Sequence, residues 1–112
     1  MSNVIEKRIV ALASAARTAT ATSASFQLSH DATDIAICIA TSAFTSGTFT
    51  AKLQHSLDGS LWEDVAGAVS PAVAATGQVT DYATAAVLPM VRVVLTGATT
   101  PVATQAVYIV YG

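Results

Sequence analysis

Charged side chains are scarce in this chain of 112 residues, at 11% against roughly 25% in an ordinary soluble domain. A surface with so few charges is covered by Thr, Ser, Gln and Ala, which repel a second protein surface only weakly. The five cations are scattered and the net charge is -2, so the sequence has no basic footprint for nucleic acid. We therefore expect protein partners and no direct contact with nucleic acid.

Cysteine is nearly absent, and this limits both disulfide and metal chemistry. The single Cys38 has no partner for an intrachain disulfide, which excludes a disulfide-stapled scaffold. It lies among alternating isoleucines, where we interpret it as core packing. Two histidines, one cysteine and seven dispersed carboxylates supply no spacing typical of a metal site, so we expect no metal and no cofactor.

Long uninterrupted hydrophobic segments are also missing. Residues 9–15 are similar to a signal peptide with a small-residue cleavage site, but the apolar stretch is short and Glu6 lies in its basic region. Residues 93–112 carry no charge, yet Gly97, Pro101 and several threonines interrupt them. We expect no membrane partner, and we interpret the C-terminal stretch as two strands joined by a turn.

What the chain does have is alternation of period two. A strand is predicted wherever β-branched or aromatic residues recur at every second position between turn signals. The residues expected to face the core are Ile35, Ile37, Ile39, Phe49, Ala51, Leu53, Val91, Val93, Leu95, Val107 and Ile109. The pattern predicts an all-β fold: a single β-sandwich of jelly-roll or Greek-key type with seven to eight short antiparallel strands. Residues 17–112 form the predicted sandwich, and residues 1–16 form a separate N-terminal segment.

Candidate catalytic and cation-binding residues are few. His30 and Asp31 are adjacent, but no glycine-flanked serine accompanies them, and we interpret the pair as a polar turn. We therefore predict that the chain is not an enzyme. Asp58, Glu63 and Asp64 form the one acidic cluster; a weak calcium site there is disfavoured against a solvated hairpin.

The hairpin around Asp58 and Gly59 contains the only tryptophan. Asp accepts local backbone hydrogen bonds while Gly supplies the positive φ of a tight reversal, so these two residues are predicted to form the turn. Trp62 could stack on a sugar, but few aromatic residues accompany it. We favour burial of Trp62 between the sheets.

The hairpin at residues 53–65, LQHSLDGSLWEDV, carries an S-x-D-G-x-x-W-x-D-V pattern. Together with the endings VRVVLTG at 91–97 and AVYIVYG at 106–112, it resembles small β-sandwich virion proteins of tailed bacteriophages. The resemblance covers about the C-terminal two-thirds of the chain, and discoidin-like sugar-binding domains carry a similar hairpin. The Asp-box of sialidase-type propellers needs one more residue between Asp and Gly, so the sequence departs from it.

This resemblance implies a structural virion protein that decorates or cements the capsid and stabilises the particle. Its implied partners are the major capsid protein or another virion protein, and further copies of itself in a homo-oligomer. The implied location is the virion, assembled in the host cytoplasm. The alternatives are a carbohydrate-binding β-sandwich module, or a tail or head–tail structural protein. Capsid or tail location, oligomeric state, strand order and binding of a host-surface glycan stay open.

The N-terminal segment is the expected contact with a neighbour. Glu6, Lys7 and Arg8 concentrate charge where the rest of the chain is nearly neutral. We predict these three residues as partner contacts.

Overall fold

The part of the chain that the structure describes forms seven β-strands. The computed structural model describes residues 7–28, 34–83 and 87–112. The strands are β1 Lys7–Arg17, β2 Ala21–Thr22, β3 Phe26–Gln27, β4 Ile35–Ser56, β5 Glu63–Val69, β6 Gly77–Tyr82 and β7 Met90–Tyr111.

All strand pairs are antiparallel, and the described residues contain no helix. The predicted all-β class is confirmed. It follows that none of the described segments is a helix able to cross a bilayer. The expectation that every strand is short is wrong for β4 and β7, which each have 22 residues. The signals at Ser46-Gly47 and at residues 96–101 mark bends within these two strands, not their ends.

The ladder between β4 and β7 runs from Ile35 opposite Tyr111 to Ser56 opposite Met90. Register shifts near its middle divide it in two. In what we call the first half, residues 35–46 of β4 and 102–111 of β7 lie between β6 and β1. In the second half, residues 48–56 of β4 and 90–98 of β7 lie between β5 and the short strands β2 and β3.

The bend between the halves depends on unusual backbone conformations. Gly47 has a φ of 77°, and a Cβ atom there would lie 2.6 Å from Cα of Pro101, so only glycine fits. On the facing strand, Thr99 and Thr100 have φ values of 61° and 50°. Ser46 Oγ donates a hydrogen bond to the carbonyl oxygen of Thr100 at 2.7 Å. This contact joins the two strands at the bend.

The inward faces of both halves form one hydrophobic cluster. All the residues predicted to face inward are buried, which confirms the alternation from which they were derived. Burying a large aliphatic side chain contributes about 1.5–3 kcal/mol, so this cluster is the main favourable term in folding. The molecule is 21 Å thick in its shortest dimension, about the depth of two packed sheets. All seven strands belong to one continuous sheet, and its division into the two layers of a sandwich stays a prediction.

The N-terminal segment belongs partly to the sheet. Residues 7–16 lie in β1, which pairs with β7 from Lys7 opposite Tyr111 to Arg17 opposite Ala103. The boundary drawn between residues 16 and 17 therefore falls inside a strand. Bulges interrupt this ladder between Val10 and Ala15. Glu6, His30 and Asp31 lie outside the described residues.

Candidate functional site

The turn between β4 and β5 is held by side-chain hydrogen bonds, as its sequence predicts. Asp58 Oδ1 accepts hydrogen bonds from the backbone N–H of Ser60 at 2.9 Å and of Leu61 at 3.4 Å. Ser56 Oγ accepts one from Gly59 N–H at 2.9 Å, and Gly59 has a φ of 84°. The turn is therefore an ordered element although it projects from the sheet.

These donors fix the charge of Asp58. The backbone N–H of Ser60, then that of Leu61, then the Ser60 and Ser56 hydroxyls lower the pKa of Asp58 from 3.8 to about 2. Each donor stabilises the ionised carboxylate more than the protonated acid. Asp58 is thus negatively charged at any ordinary pH.

Trp62 is not in the core, and the interpretation that it lies between the sheets is wrong. Its side chain is half-buried and belongs to neither the core cluster nor the residues packed against it. Its indole Nε1 donates to the carbonyl oxygen of Gly59 at 3.2 Å, and the guanidinium of Arg92 lies 4.4 Å from the ring centroid. Arg92 alternates with the inward-facing Val91 and Val93, so Trp62 packs on the outer surface of the second half.

Two leucines on the turn are exposed. Leu57 is 73% exposed and Leu61 is 81% exposed, the highest values among the exposed large hydrophobic residues described. Large apolar side chains standing in water on a well-bonded turn are typical of contact surfaces. We call the turn bearing Leu57 and Leu61 the leucine turn.

His55, at the end of β4, has partners on both ring nitrogens. Its Nδ1 accepts the backbone N–H of Leu88 at 3.0 Å, and its Nε2 lies 3.1 Å from Glu63 Oε1. The backbone N–H of Leu88 can only donate, so Nδ1 carries no proton in this contact. The imidazole is therefore the tautomer with its proton on Nε2, which donates to Glu63. Neither nitrogen is left to take a proton from a substrate without breaking a contact.

A pocket of about 360 Å³ lies beside the leucine turn. Its apolar walls are Trp62, the two turn leucines and Leu88, and its polar groups are His55, Asp58 and Glu63. None of the described residues that line it is a cation, and Asp58 and Glu63 give it a negative charge. The pocket suits a ligand that donates hydrogen bonds and has an apolar face, and it disfavours anions.

The outer surface of the second half carries a polar network. Arg92 Nε donates to Gln54 Oε1 at 2.8 Å, and Gln54 Nε2 donates to Asp64 Oδ1 at 2.9 Å. Lys52 Nζ lies 3.3 Å from Asp64. The hydrogen bond from Gln54, and then the contacts with Lys52, lower the pKa of Asp64.

The three residues of the acidic cluster contact different partners. Asp58 binds its own turn, Glu63 binds His55 and Asp64 binds Gln54 and Lys52. Within the described parts of the chain, no three His, Cys, Asp or Glu side chains are placed to hold a metal ion. Cys38 is a buried free thiol.

Two of the predicted partner contacts lie at the start of β1. The ammonium of Lys7 is 5.7 Å from the ring centroid of Tyr111, and the guanidinium of Arg8 is 5.2 Å from that of Tyr108. Both cations are exposed but stacked on their own sheet. They lie in β1, whereas the leucine turn extends the opposite half of the ladder, so the structure does not bring the two sets together in one site.

Alternation with Phe49, Ala51 and Leu53 predicts the buried position of His55, but the sequence analysis missed its contacts with Glu63 and Leu88 and the exposure of the two turn leucines. Leu57 and Leu61 flank the Asp-Gly turn, where the strand alternation that buries every second residue does not continue. Their position in the sequence therefore indicates that both leucines are exposed. Comparisons with protein-family models, with curated proteins and with solved structures found no match.

Proposed function

We propose that this chain is a structural protein of a phage particle, which binds neighbouring capsid or other virion subunits and stabilises the particle. The observation that carries the proposal is the leucine turn, where Leu57 and Leu61 stand exposed on a turn that Asp58 and Ser56 hold in shape. A pre-ordered apolar projection loses little entropy on binding. Repeated weak contacts to a lattice then give firm attachment.

In this proposal the groups at the base of the turn have a structural role. His55 is the one imidazole among the described residues near a carboxylate, and both of its nitrogens are engaged. A general base needs a free nitrogen within reach of the substrate proton. His55 and Glu63 therefore act as structural partners that fix the base of the turn.

The experiment compares particle binding of the unmodified chain with that of a Leu57→Ser, Leu61→Ser double variant. Purified chain is mixed with expanded capsids that lack it, and bound protein is measured after sedimentation. Since burial of each leucine contributes about 1.5–3 kcal/mol, the double variant should bind at least about tenfold more weakly.

Val69→Ser is the matched control, because Val69 is an exposed apolar residue on β5, away from the turn. It should bind like the unmodified chain. Equal occupancy of the double variant and the unmodified chain would show that the leucine turn is not the contact.

A carbohydrate-binding role is the second candidate, favoured by the position of Trp62. The indole lines the pocket, and the carboxylates of Asp58 and Glu63 can accept hydrogen bonds from sugar hydroxyls. In this account the leucines shield the ligand from water and do not contact a protein.

Trp62 fluorescence separates the two candidates, because it is the only tryptophan. Neutral oligosaccharides should produce a saturable change in emission that Glu63→Gln weakens if the pocket binds sugar. No change at any sugar concentration removes this candidate and leaves the virion role in place.

A further inference from the structure

The pocket beside the leucine turn shares its walls with the surface that the turn presents to solvent. Leu57 and Leu61 line the pocket and are 73% and 81% exposed. His55, which is buried, and Leu88, which is half-buried, line it as well. A protein surface that contacts the two turn leucines therefore lies next to the pocket and can place a side chain in it.

The charge of the pocket favours a cation. The turn keeps Asp58 ionised, because the backbone N–H groups of Ser60 and Leu61 donate to its carboxylate. Glu63 uses Oε1 for its contact with His55, which leaves Oε2 to accept a hydrogen bond from a ligand. The imidazole is neutral in the tautomer that these contacts require. Two carboxylates thus face the pocket, and none of the described residues that line it is positive.

The apolar and aromatic walls select the kind of cation. A guanidinium is planar, is more weakly hydrated than an ammonium and stacks on aromatic rings. The indole of Trp62 already binds one guanidinium in this way, that of Arg92 at 4.4 Å from the ring centroid. Arg92 does not line the pocket, so the part of the indole that faces the pocket is not the part that Arg92 covers. The pocket volume of about 360 Å³ has room for an arginine side chain.

We propose that this pocket binds an arginine side chain of the neighbouring virion subunit, whose guanidinium pairs with the carboxylates of Asp58 and Glu63 and whose apolar stem packs on Trp62. This inference rests on the proposed function and names the chemistry of the partner at the same surface. Arginine is a frequent anchor of protein interfaces, where it fills a pocket that surrounding apolar contacts protect from water. The two turn leucines supply those contacts.

Titration of the purified chain with N-acetyl-arginine amide tests the pocket without a partner. Emission of Trp62 reports binding, because it is the only tryptophan. The matched probe is N-acetyl-citrulline amide, in which a neutral urea of the same shape replaces the guanidinium. We expect a saturable change with the arginine derivative and about fivefold weaker binding of the citrulline derivative. Equal binding of the two derivatives, or of neither, overturns the inference.

Two variants of equal charge change locate the binding. Glu63→Gln removes a charge from the pocket and keeps an oxygen that can accept the hydrogen bond from His55. Asp81→Asn is the matched control, because Asp81 lies on β6 in the first half and does not line the pocket. Glu63→Gln should bind N-acetyl-arginine amide about threefold more weakly, and Asp81→Asn should bind it like the unmodified chain. Equal weakening in both variants would show attraction by net charge alone.

Sedimentation with expanded capsids distinguishes failure of this inference from failure of the proposed function. Glu63→Gln should bind the capsids more weakly than Asp81→Asn does. If the unmodified chain saturates the capsids and the two variants bind equally well, the arginine pocket is wrong and the virion role stands. If the unmodified chain does not bind the capsids at all, the virion role fails and this inference fails with it.

Discussion

Arg92 determines how Trp62 is held at the surface. Its guanidinium stacks on the indole at 4.4 Å while its Nε is fixed by Gln54 at 2.8 Å. A cation over a tryptophan ring contributes about 0.5–1 kcal/mol at an exposed site. The ring is therefore shielded on one side by a charged group and not by the core.

Removing this cover should expose the indole. In Arg92→Ala, the acrylamide quenching constant of Trp62 should rise, since one ring face becomes open to solvent. Arg8→Ala, which removes a cation stacked on Tyr108 instead, should leave the quenching unchanged. Equal quenching in Arg92→Ala and the unmodified chain would contradict the stacking.

Asp58 makes the stability of the hairpin depend on pH. Its pKa is lowered from 3.8 to about 2 in the folded chain, so the ionised form is favoured by folding. The resulting stability is fully present above about pH 4 and is lost as the pH falls through about 2.

Thermal unfolding of Asp58→Asn and of the unmodified chain measures this effect. The variant should melt at a lower temperature at pH 7, and the difference should shrink as the pH approaches 2. A difference of the same size at both pH values would show that the carboxylate charge does not stabilise the turn.

Strand alternation determines which residues of this chain are buried, whereas hydrophobicity alone does not. Alternation predicted the inward positions of Ile37, Leu53 and Val93, because successive side chains of a strand must point to opposite sides. Size and hydrophobicity alone placed Trp62 in the core. They failed because the partner that covers the ring, Arg92, lies 30 positions further along the chain, and no local pattern connects the two.

At the scale of elements, the bend in the long strands is the main feature. β4 and β7 stay paired through it, and the register shifts on the two strands compensate each other. Extra residues of this kind turn a ladder and increase its twist. One pair of strands therefore supplies the centre of both halves.

The sequence could predict the position of this bend but not its nature. Ser46-Gly47 and residues 96–101 have the composition of turns, and a turn ordinarily ends a strand. Whether a glycine ends a strand or bends it depends on the partner strand, and the compensating positive φ values of Thr99 and Thr100 are not visible in local composition. For this reason the sequence predicts four short strands where the structure has two long ones.

Gly47→Ala tests the bend against a matched glycine. Both Gly47 and Gly59 have positive φ values, which cost an alanine about 1–2 kcal/mol. At Gly59 the nearest atom to an added Cβ is 3.8 Å away, whereas at Gly47 three backbone atoms lie within 2.8 Å. Gly47→Ala should therefore reduce the free energy of unfolding by clearly more than Gly59→Ala, as measured by denaturant titration. Equal losses would contradict the close approach.

At the scale of the whole molecule, the few charged side chains are unevenly distributed over the surface. Among the described residues, most cations and carboxylates lie at β1, at the leucine turn and on the outer surface of the second half, while Asp34 and Asp81 lie in the first half. The two leucines of the leucine turn stand exposed beside these charged groups.

Binding to empty particles tests the virion role most directly. Purified chain titrated onto expanded capsids that lack it should co-sediment and saturate at a fixed number of copies per particle. Failure to sediment with either capsids or tails at any concentration would contradict the account.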